Sequence, residues 1–245
     1  MDPLARTLKF LEEAAGQWSE CVLSVGNFDG VHRGHQAILK RLSAAGRELG
    51  LPTVVVTFEP HPVEFFRPER PPFRLTNGPQ KLKLLRHYGV DVPVVLAFDE
   101  ALSSLEPEVF ARRCLFDALK PRQVLVGYDF HFGKDRRGNP ERLLAVGLDA
   151  GVQVEVQRAI EGEGGVISSS RVRRLVAGGE LDAVRALLRR PFAIQGTVVR
   201  GAGRGTGLGF PTANVAPAIC LLPATGVYAT YLEDGDNLCE RVLIG

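Results

Sequence analysis

His32 and His35 stand three residues apart in "SVGNFDGVHRGHQAIL" (residues 24–39), where an apolar run gives way to a helical pattern. At the first turn of a helix that spacing points both imidazoles to one side. A strand, a glycine turn and a helix start together present free backbone N–H groups and the positive end of a helix dipole, which suit a phosphate. Gly30 and Gly34 leave room for close approach, and the two rings could jointly donate to a nucleoside triphosphate as charge builds on it. The competing reading is a pair of partly exposed polar residues at a helix start. Zinc is a poor fit, because the pair supplies two ligands and no cysteine or third histidine lies close in sequence.

The elements that must position this motif follow from the hydrophobic pattern. "CVLSVG" (21–26), "TVVVTF" (53–58), "VPVVLAF" (92–98), "RQVLVG" (122–127) and "VQVEV" (152–156) read as buried strands, rich in Val and too short for independent helices. Between them "HQAILKRLSAAGRELG", "GPQKLKLLRHYG", "EPEVFARRCLFDAL" and "NPERLLAVGLDAG" carry apolar residues at intervals of three and four. This β-α order predicts an α/β fold, an open parallel sheet wound on both faces by helices. Ligands of such sheets bind at the carboxyl ends of the strands. The loops after the first, second and fourth runs, ending in "GNFDG", "EPHPVEFF" and "GYDFHFGKDRRGN", therefore open on one edge.

Composition bounds the partners. The 245 residues carry a net charge of +2, with 45% hydrophobic and 24% charged residues, which is ordinary globular usage. A sequence pI of about 8.4 falls short of the excess expected of a protein built to neutralise nucleic acid, so any anion site must be local. Only six of the 30 basic residues are lysines. The four cysteines, Cys21, Cys114, Cys220 and Cys239, form no CxxC pair and read as reduced thiols, mostly buried. Neither a leader peptide's apolar core nor a membrane-spanning run appears, which predicts a cytoplasmic protein with no membrane partner.

"ISSSRVRRLVAGGELDAVRALLRRP" (167–191) reads as two short helices, after which the pattern changes. From Phe192 the chain has strand-like runs, many glycines and no helical stretch, so Pro191 divides a domain over 1–190 from a part over 191–245. That second part has a final apolar run, "ERVLIG", with no stop signal after it. A barrel ending there would keep an unpaired edge. The expectation is a truncated chain, or partner strands supplied from elsewhere.

"GNFDGVHRGH" resembles the HxGH signature of the nucleotidyltransferase superfamily, in the form found in bacterial bifunctional riboflavin kinase/FAD synthetases. "FEPHPVEFF" (58–66), "VGYDFHFGKDRRGN" (126–139) and the 167–191 segment match in order, and "GTVVRGAGRGTGLGFPTANV" (196–215) is similar to the opening of that family's kinase domain. The resemblance implies a Rossmann-like first domain and part of a small β-barrel. It also implies two reactions, phosphorylation of riboflavin by ATP to FMN and transfer of AMP from ATP to FMN, giving FAD and pyrophosphate, with Mg²⁺.

No enzyme nucleophile is needed if a phosphate oxygen of FMN attacks the α-phosphorus in line, so positioning and charge stabilisation would do the work. The resemblance gives His32 and His35 the α-phosphate region, with Gly26, Asn27, Phe28, Asp29 and Gly34 around the ATP. Asp29 either orders the loop or helps hold Mg²⁺. Ser168, Ser169 and Ser170 open a helix as N-caps, and Arg171 beside those N–H groups suits the β- and γ-phosphates. Phe58, His61 and Phe65 would flank the flavin ring, while Asp129 would contact flavin or adenine. Phe130 and Phe132 read as packing residues.

In "GFPTAN", Thr212 and Asn214 fall on one side of an extended segment, where their oxygens could hold Mg²⁺ and ATP phosphates; Gly203 and Gly209 belong to a glycine loop facing phosphate. The family's catalytic glutamate lies beyond Gly245, and Leu243 replaces an asparagine usual before Ile-Gly. A chain ending there is expected to form no FMN. Two rival readings are a nucleotidyltransferase for another phosphate ester and a small barrel for single-stranded nucleic acid. Residues 192–245 hold three arginines, no lysine and four acids, which argues against the latter. The sequence gives no oligomeric state.

Overall fold

The computed structural model describes residues 3–69, 73–201, 212–218, 220–234 and 237–244. Helix α1 (Pro3–Ala15) precedes β1 (Cys21–Val25), which passes through the histidine motif into α2 (Arg33–Leu49) and β2 (Thr53–Glu59). Helices α3 (Pro62–Phe66) and α4 (Gly78–His87) lead to β3 (Val92–Ala97). Helix α5 (Glu100–Ser103) and α6 (Pro107–Val109), which runs on into a π-helix over Phe110–Asp117, lead to β4 (Pro121–Gly127). Then come α7 (Pro140–Ala150), β5 (Gln153–Gln157), a small hairpin of β6 (Glu161–Gly162) and β7 (Gly165–Val166), α8 (Ser169–Ala177) and α9 (Leu181–Leu188).

Strands β1 to β5 form one parallel sheet in the order β3-β2-β1-β4-β5. Leu23 of β1 lies opposite Val54 on one side and Val124 on the other. Alternation along the strands explains why both faces are covered. Leu23, Val54 and Val124 pack with Leu11 of α1, Leu115 of the π-helix and Leu143 of α7, whereas Val22, Val55 and Leu125 pack with Leu39 and Leu42 of α2 and Leu85 of α4. A third cluster joins α8 and α9 to Leu75 and Ile167. Strand order reverses between β1 and β4, and the histidine motif leaves β1 at that switch point, the usual place for a ligand in such sheets.

All five strands expected from the apolar runs are present. The segment 106–119 departs from a plain α-helix: the Ala118 N–H donates to Arg113 O, five residues back, so the helix is underwound there. Helix α1, with Leu11 fully buried, carries no expectation from the sequence beyond its not being a leader, and α3 lies inside a segment read as a loop.

Beyond Pro191, β8 (Gly196–Val199) pairs antiparallel with β9 (Asn214–Pro217), and β10 (Tyr228–Asp234) with β11 (Asn237–Ile244). Segments flanking the ribbons bond to the earlier part of the chain: Asn77 Nδ2 donates to Gln195 Oε1 at 2.8 Å and Leu221 N to Arg74 O at 2.8 Å. Cys21, Cys114 and Cys220 are free and buried. No helix among the described residues is long and apolar enough to cross a membrane.

Candidate active site

The turn between β1 and α2 has an unusual backbone. Phe28, Gly30 and Val31 have φ of 49°, 79° and 40°, in the left-handed region that β-branched and bulky residues seldom enter. His32 is the N-cap of α2, its Nδ1 accepting from the His35 N–H at 3.4 Å. An accepting Nδ1 assigns the neutral ring's proton to Nε2, which becomes a donor. The two imidazoles stack with centroids 3.8 Å apart and planes 18° from parallel, so the pair does face one way. Phe28 lies 5.1 Å beneath His35. A Cβ at Gly34 would stand 3.0 Å from the His32 ring, which is why glycine separates the histidines.

Both rings are held neutral. Burial pushes His32 down to about 4; Asp29 opposes, and Arg173 and Arg190 add to the fall. Burial lowers His35 as well, helped by His32 and Arg173. The His35 Nδ1 is buried without a partner among the described residues, an orphan polar atom at the switch point of the sheet.

Asp29 makes contacts of the kind its loop-ordering reading requires. Its carboxylate accepts from the N–H groups of Leu75 and Thr76 at 3.0 and 3.1 Å, and Arg173 Nη2 closes on Oδ2 at 2.7 Å. At 3% exposure it fastens the turn to Leu75, Thr76 and α8. Ser168 caps α8 through the Arg171 N–H, and Ser169 Oγ donates to Asp29 O at 2.9 Å; Ser170 is exposed. Asn27 is exposed and its carbonyl accepts from Thr57 Oγ1, while Gly26 bonds back to Val56 O. Phe28, expected around ATP, is 1% exposed and acts as the floor under His35.

The two arginines of α8 that lie nearest the motif have different partners. Arg171 spends its guanidinium at the surface on the carbonyls of Gly165 and Glu163, bracing the β6-β7 hairpin. Residues two apart on a helix diverge, whereas residues four apart share a face. Ser169 and Arg173 accordingly meet the same residue, Asp29, from one side of α8. Arg173 also donates Nε to Phe73 O at 3.0 Å and lies 5.0 Å over the Phe73 ring.

His61 stands edge-on to that ring at 5.0 Å, caps α3 through the Val63 N–H, and is driven by burial to about 4. The second loop is thus drawn toward the histidine turn by way of Phe73 and Arg173. Phe58 and Phe65 both meet Phe98 edge-on, at 5.8 and 5.5 Å, and Phe66 is 62% exposed beside them. Phe98, at the end of β3, is the aromatic residue that motif reading omits; its place at a strand's carboxyl end is the signal. Beneath them Lys81 donates to Phe58 O at 3.2 Å and lies 3.2 Å from Glu59 Oε1, while Arg74 pairs with Glu59 and Glu64. Asp129 is exposed on the loop after β4, and Phe130 stacks on Phe132 in a packing role.

In the second part, Thr212 and Asn214 are exposed, and a Cβ at Gly201 would collide with the Asn214 amide 1.8 Å away. Gly203 and Gly209 lie outside the described residues. No group of three or more His, Cys, Asp or Glu side chains that could hold a metal occurs among the described residues.

Comparison with known proteins identifies the family. The FAD synthetase family model matches residues 14–171, and the riboflavin kinase family model matches residues 188–244. The chain belongs to the bifunctional riboflavin kinase/FMN adenylyltransferase family. A member from Pseudomonas fluorescens is 44% identical over 218 residues, covering 89% of this chain and 70% of the relative. The Escherichia coli K12 member is 42% identical over 210 residues, covering 85% and 67%. A crystal structure described as a macrolide-efflux protein from Streptococcus pneumoniae superposes with a TM-score of 0.83 at 31% identity, over 92% of this chain and 73% of that one. The His32–His35 turn falls inside the FAD synthetase match, and Thr212 and Asn214 fall inside the riboflavin kinase match.

Proposed function

We propose that the 28–35 turn is the adenylyl-transfer site of an enzyme that makes FAD from FMN and ATP, releasing pyrophosphate. The family supports the reaction; the single observation that carries the site is the stacked, neutral His32–His35 pair at the switch point of the sheet. An FMN phosphate oxygen attacks the α-phosphorus as the bond to pyrophosphate breaks. His32 Nε2–H and the His35 ring donate to the oxygens that gain charge, and neutral imidazoles donate without having to surrender a proton. Arg173 supplies the fixed positive charge that Arg171 was expected to supply. Phe65, Phe66 and Phe98 offer aromatic faces of the kind that suit the isoalloxazine ring, while Phe58 is buried against Phe98 and His61 against Phe73.

Residues beyond Pro191 form the riboflavin kinase module, with the division between modules at that proline. Thr212 and Asn214 fit Mg²⁺ in kind, being exposed oxygen donors two residues apart, the hard-ligand class the ion takes alongside nucleotide phosphates. Mg²⁺ would neutralise phosphate charge there. The efflux description belongs to the pneumococcal protein; a helix start with two imidazole donors suits a phosphate ligand. A cytoplasmic setting suits the free thiols of Cys21, Cys114 and Cys220.

Incubating the purified chain with FMN, ATP and Mg²⁺ and following FAD by chromatography tests the reading. FAD should form, and nicotinamide mononucleotide or phosphopantetheine should neither replace FMN nor compete with it. AMP transfer to either of those acceptors instead would establish the rival specificity.

A further inference from the structure

Arg190 is a partly buried cation with no carboxylate partner among the described residues, although burial works against its charge. Its donors go to backbone. Nη2 reaches Gly30 O at 2.8 Å, and Nη1 points at Val31 O and Leu188 O, each 3.4 Å away. Gln36 completes the set, its Nε2 donating to Val31 O at 2.9 Å and Leu188 O at 2.8 Å. These three carbonyls are the ones regular structure leaves free. Gly30 and Val31 belong to the left-handed turn, ahead of the first helical bond of α2, and Leu188 is the last residue of α9. Left-handed conformations at Phe28 and Val31 persist only where surroundings over-determine them.

Resting on the site reading above, we propose that Arg190, with Gln36, is a positioning residue for adenylyl transfer: it clamps the left-handed turn to the end of α9 and so fixes where His32 and His35 present their donors. A guanidinium is suited to this because its rigid fork serves several acceptors at once, which an ammonium on a flexible stem does not. Arg190 also immediately precedes Pro191, so the clamp ties the exit from the adenylyltransferase module to its nucleotide turn. The path of the chain into the kinase module thereby bears on the geometry of the first active site.

The test compares Arg190→Met, Arg190→Lys and Gln36→Leu in the whole chain, measuring kcat and KM for FMN and ATP, the pH profile of kcat, and amide hydrogen exchange over residues 28–36. Arg190→Met should lower kcat 10- to 100-fold with both KM values within about threefold, the pattern of lost transition-state alignment. Arg190→Lys should recover only part of that loss, and Gln36→Leu, which keeps the charge, should cost three- to tenfold in kcat. The acid limb adds a readout that bulk stability would not move. His32 is faced by Asp29, Arg173, Arg190 and the stacked His35. Removing one cation in Arg190→Met should shift the limb to higher pH, and Arg190→Lys should leave it in place. A raised KM for ATP at unchanged kcat in Arg190→Met would mean a direct phosphate contact and overturn the proposal. Unchanged kcat with a lowered melting temperature would overturn it as well. If Arg190→Met does not fold, Gln36→Leu decides by the same kinetics. Exchange needs no turnover: even if the wild-type chain made no FAD, which would defeat the site reading, faster exchange at 28–36 in Arg190→Met would support the clamp and unchanged exchange would refute it.

Discussion

The turn after β1 and the ribbon carrying Thr212 and Asn214 both hold residues assigned to phosphate, and they are built on opposite principles. The turn leaves a strand buried along its whole length, and Asp29 and the carbonyls of residues 30 and 31 each take partners from elements distant in sequence. Strands β8 and β9 are exposed along their whole length and make their ladder with one another, with Val198 at 65% exposure. A two-stranded ribbon by itself is marginal in water. The turn is therefore organised before any substrate arrives, while the β8-β9 ribbon is exposed along both strands.

The largest expected effect is on the organised side. His32→Ala with His35→Ala should lower FAD formation by at least ~10²–10³-fold, the scale for losing preorganised donors to a developing charge. Thr212→Ala should leave the same rate within about twofold. Equal losses in both would erase the distinction between the regions.

Arg173→Met comes next. It strands the Asp29 carboxylate at 3% exposure, and breaking such a pair typically costs about 3–5 kcal/mol. Urea unfolding should show a lower midpoint at unchanged slope. The surface counterpart Arg171→Ala should change stability by no more than about 0.5–1 kcal/mol and FAD formation by less than about threefold, because its acceptors are exposed backbone carbonyls that water can serve. If Arg171→Ala proved the more damaging of the two, the assignment along α8 would be reversed.

Acid should separate the regions too. His32 and His61 titrate near 4 in the folded chain and near 6.5 when unfolded, so both are neutral in either state above pH 6.5. As the pH falls the unfolded chain takes up protons first, and stability declines between about 6.5 and 4, levelling off below. All five histidines lie before residue 132, so urea midpoints at pH 7, 5.5 and 4.5 should fall for the sheet domain. His61→Gln should flatten that decline; a decline left intact by His61→Gln and His32→Gln together would place the acid sensitivity elsewhere. The smallest change is Ser168→Ala, which removes the N-cap of α8 and should cost about 1 kcal/mol in the same unfolding measurement.

Much of this was legible without coordinates, and the reasons are local. Val-rich runs mark a sheet covered on both faces, and each of the five expected strands is found within two residues of its run. The cap at Ser168 could be read because an N-cap acts on a residue three positions away, whereas the cap at His32 was not read from the sequence. What the sequence hid lies in pairs far apart along the chain. Arg173 was distinguishable from Arg171 only by its four-residue spacing from Ser169, which becomes informative once Ser169 is known to bond Asp29 O. Phe73, Lys81 and Arg190 carry no motif of their own. The π-helix was hidden because its apolar spacing satisfies an α-helical pattern over so short a span.

Asp29 waits for a partner 144 residues downstream, and the Gly30 carbonyl for one 160 residues downstream. A ribosome that has released β1 and α2 has therefore produced a turn whose fasteners are not yet made. Contacts that close such long loops are the slow ones to form. The histidine turn should be among the last parts of the first module to settle during synthesis, reaching its final shape only as the chain crosses into the second.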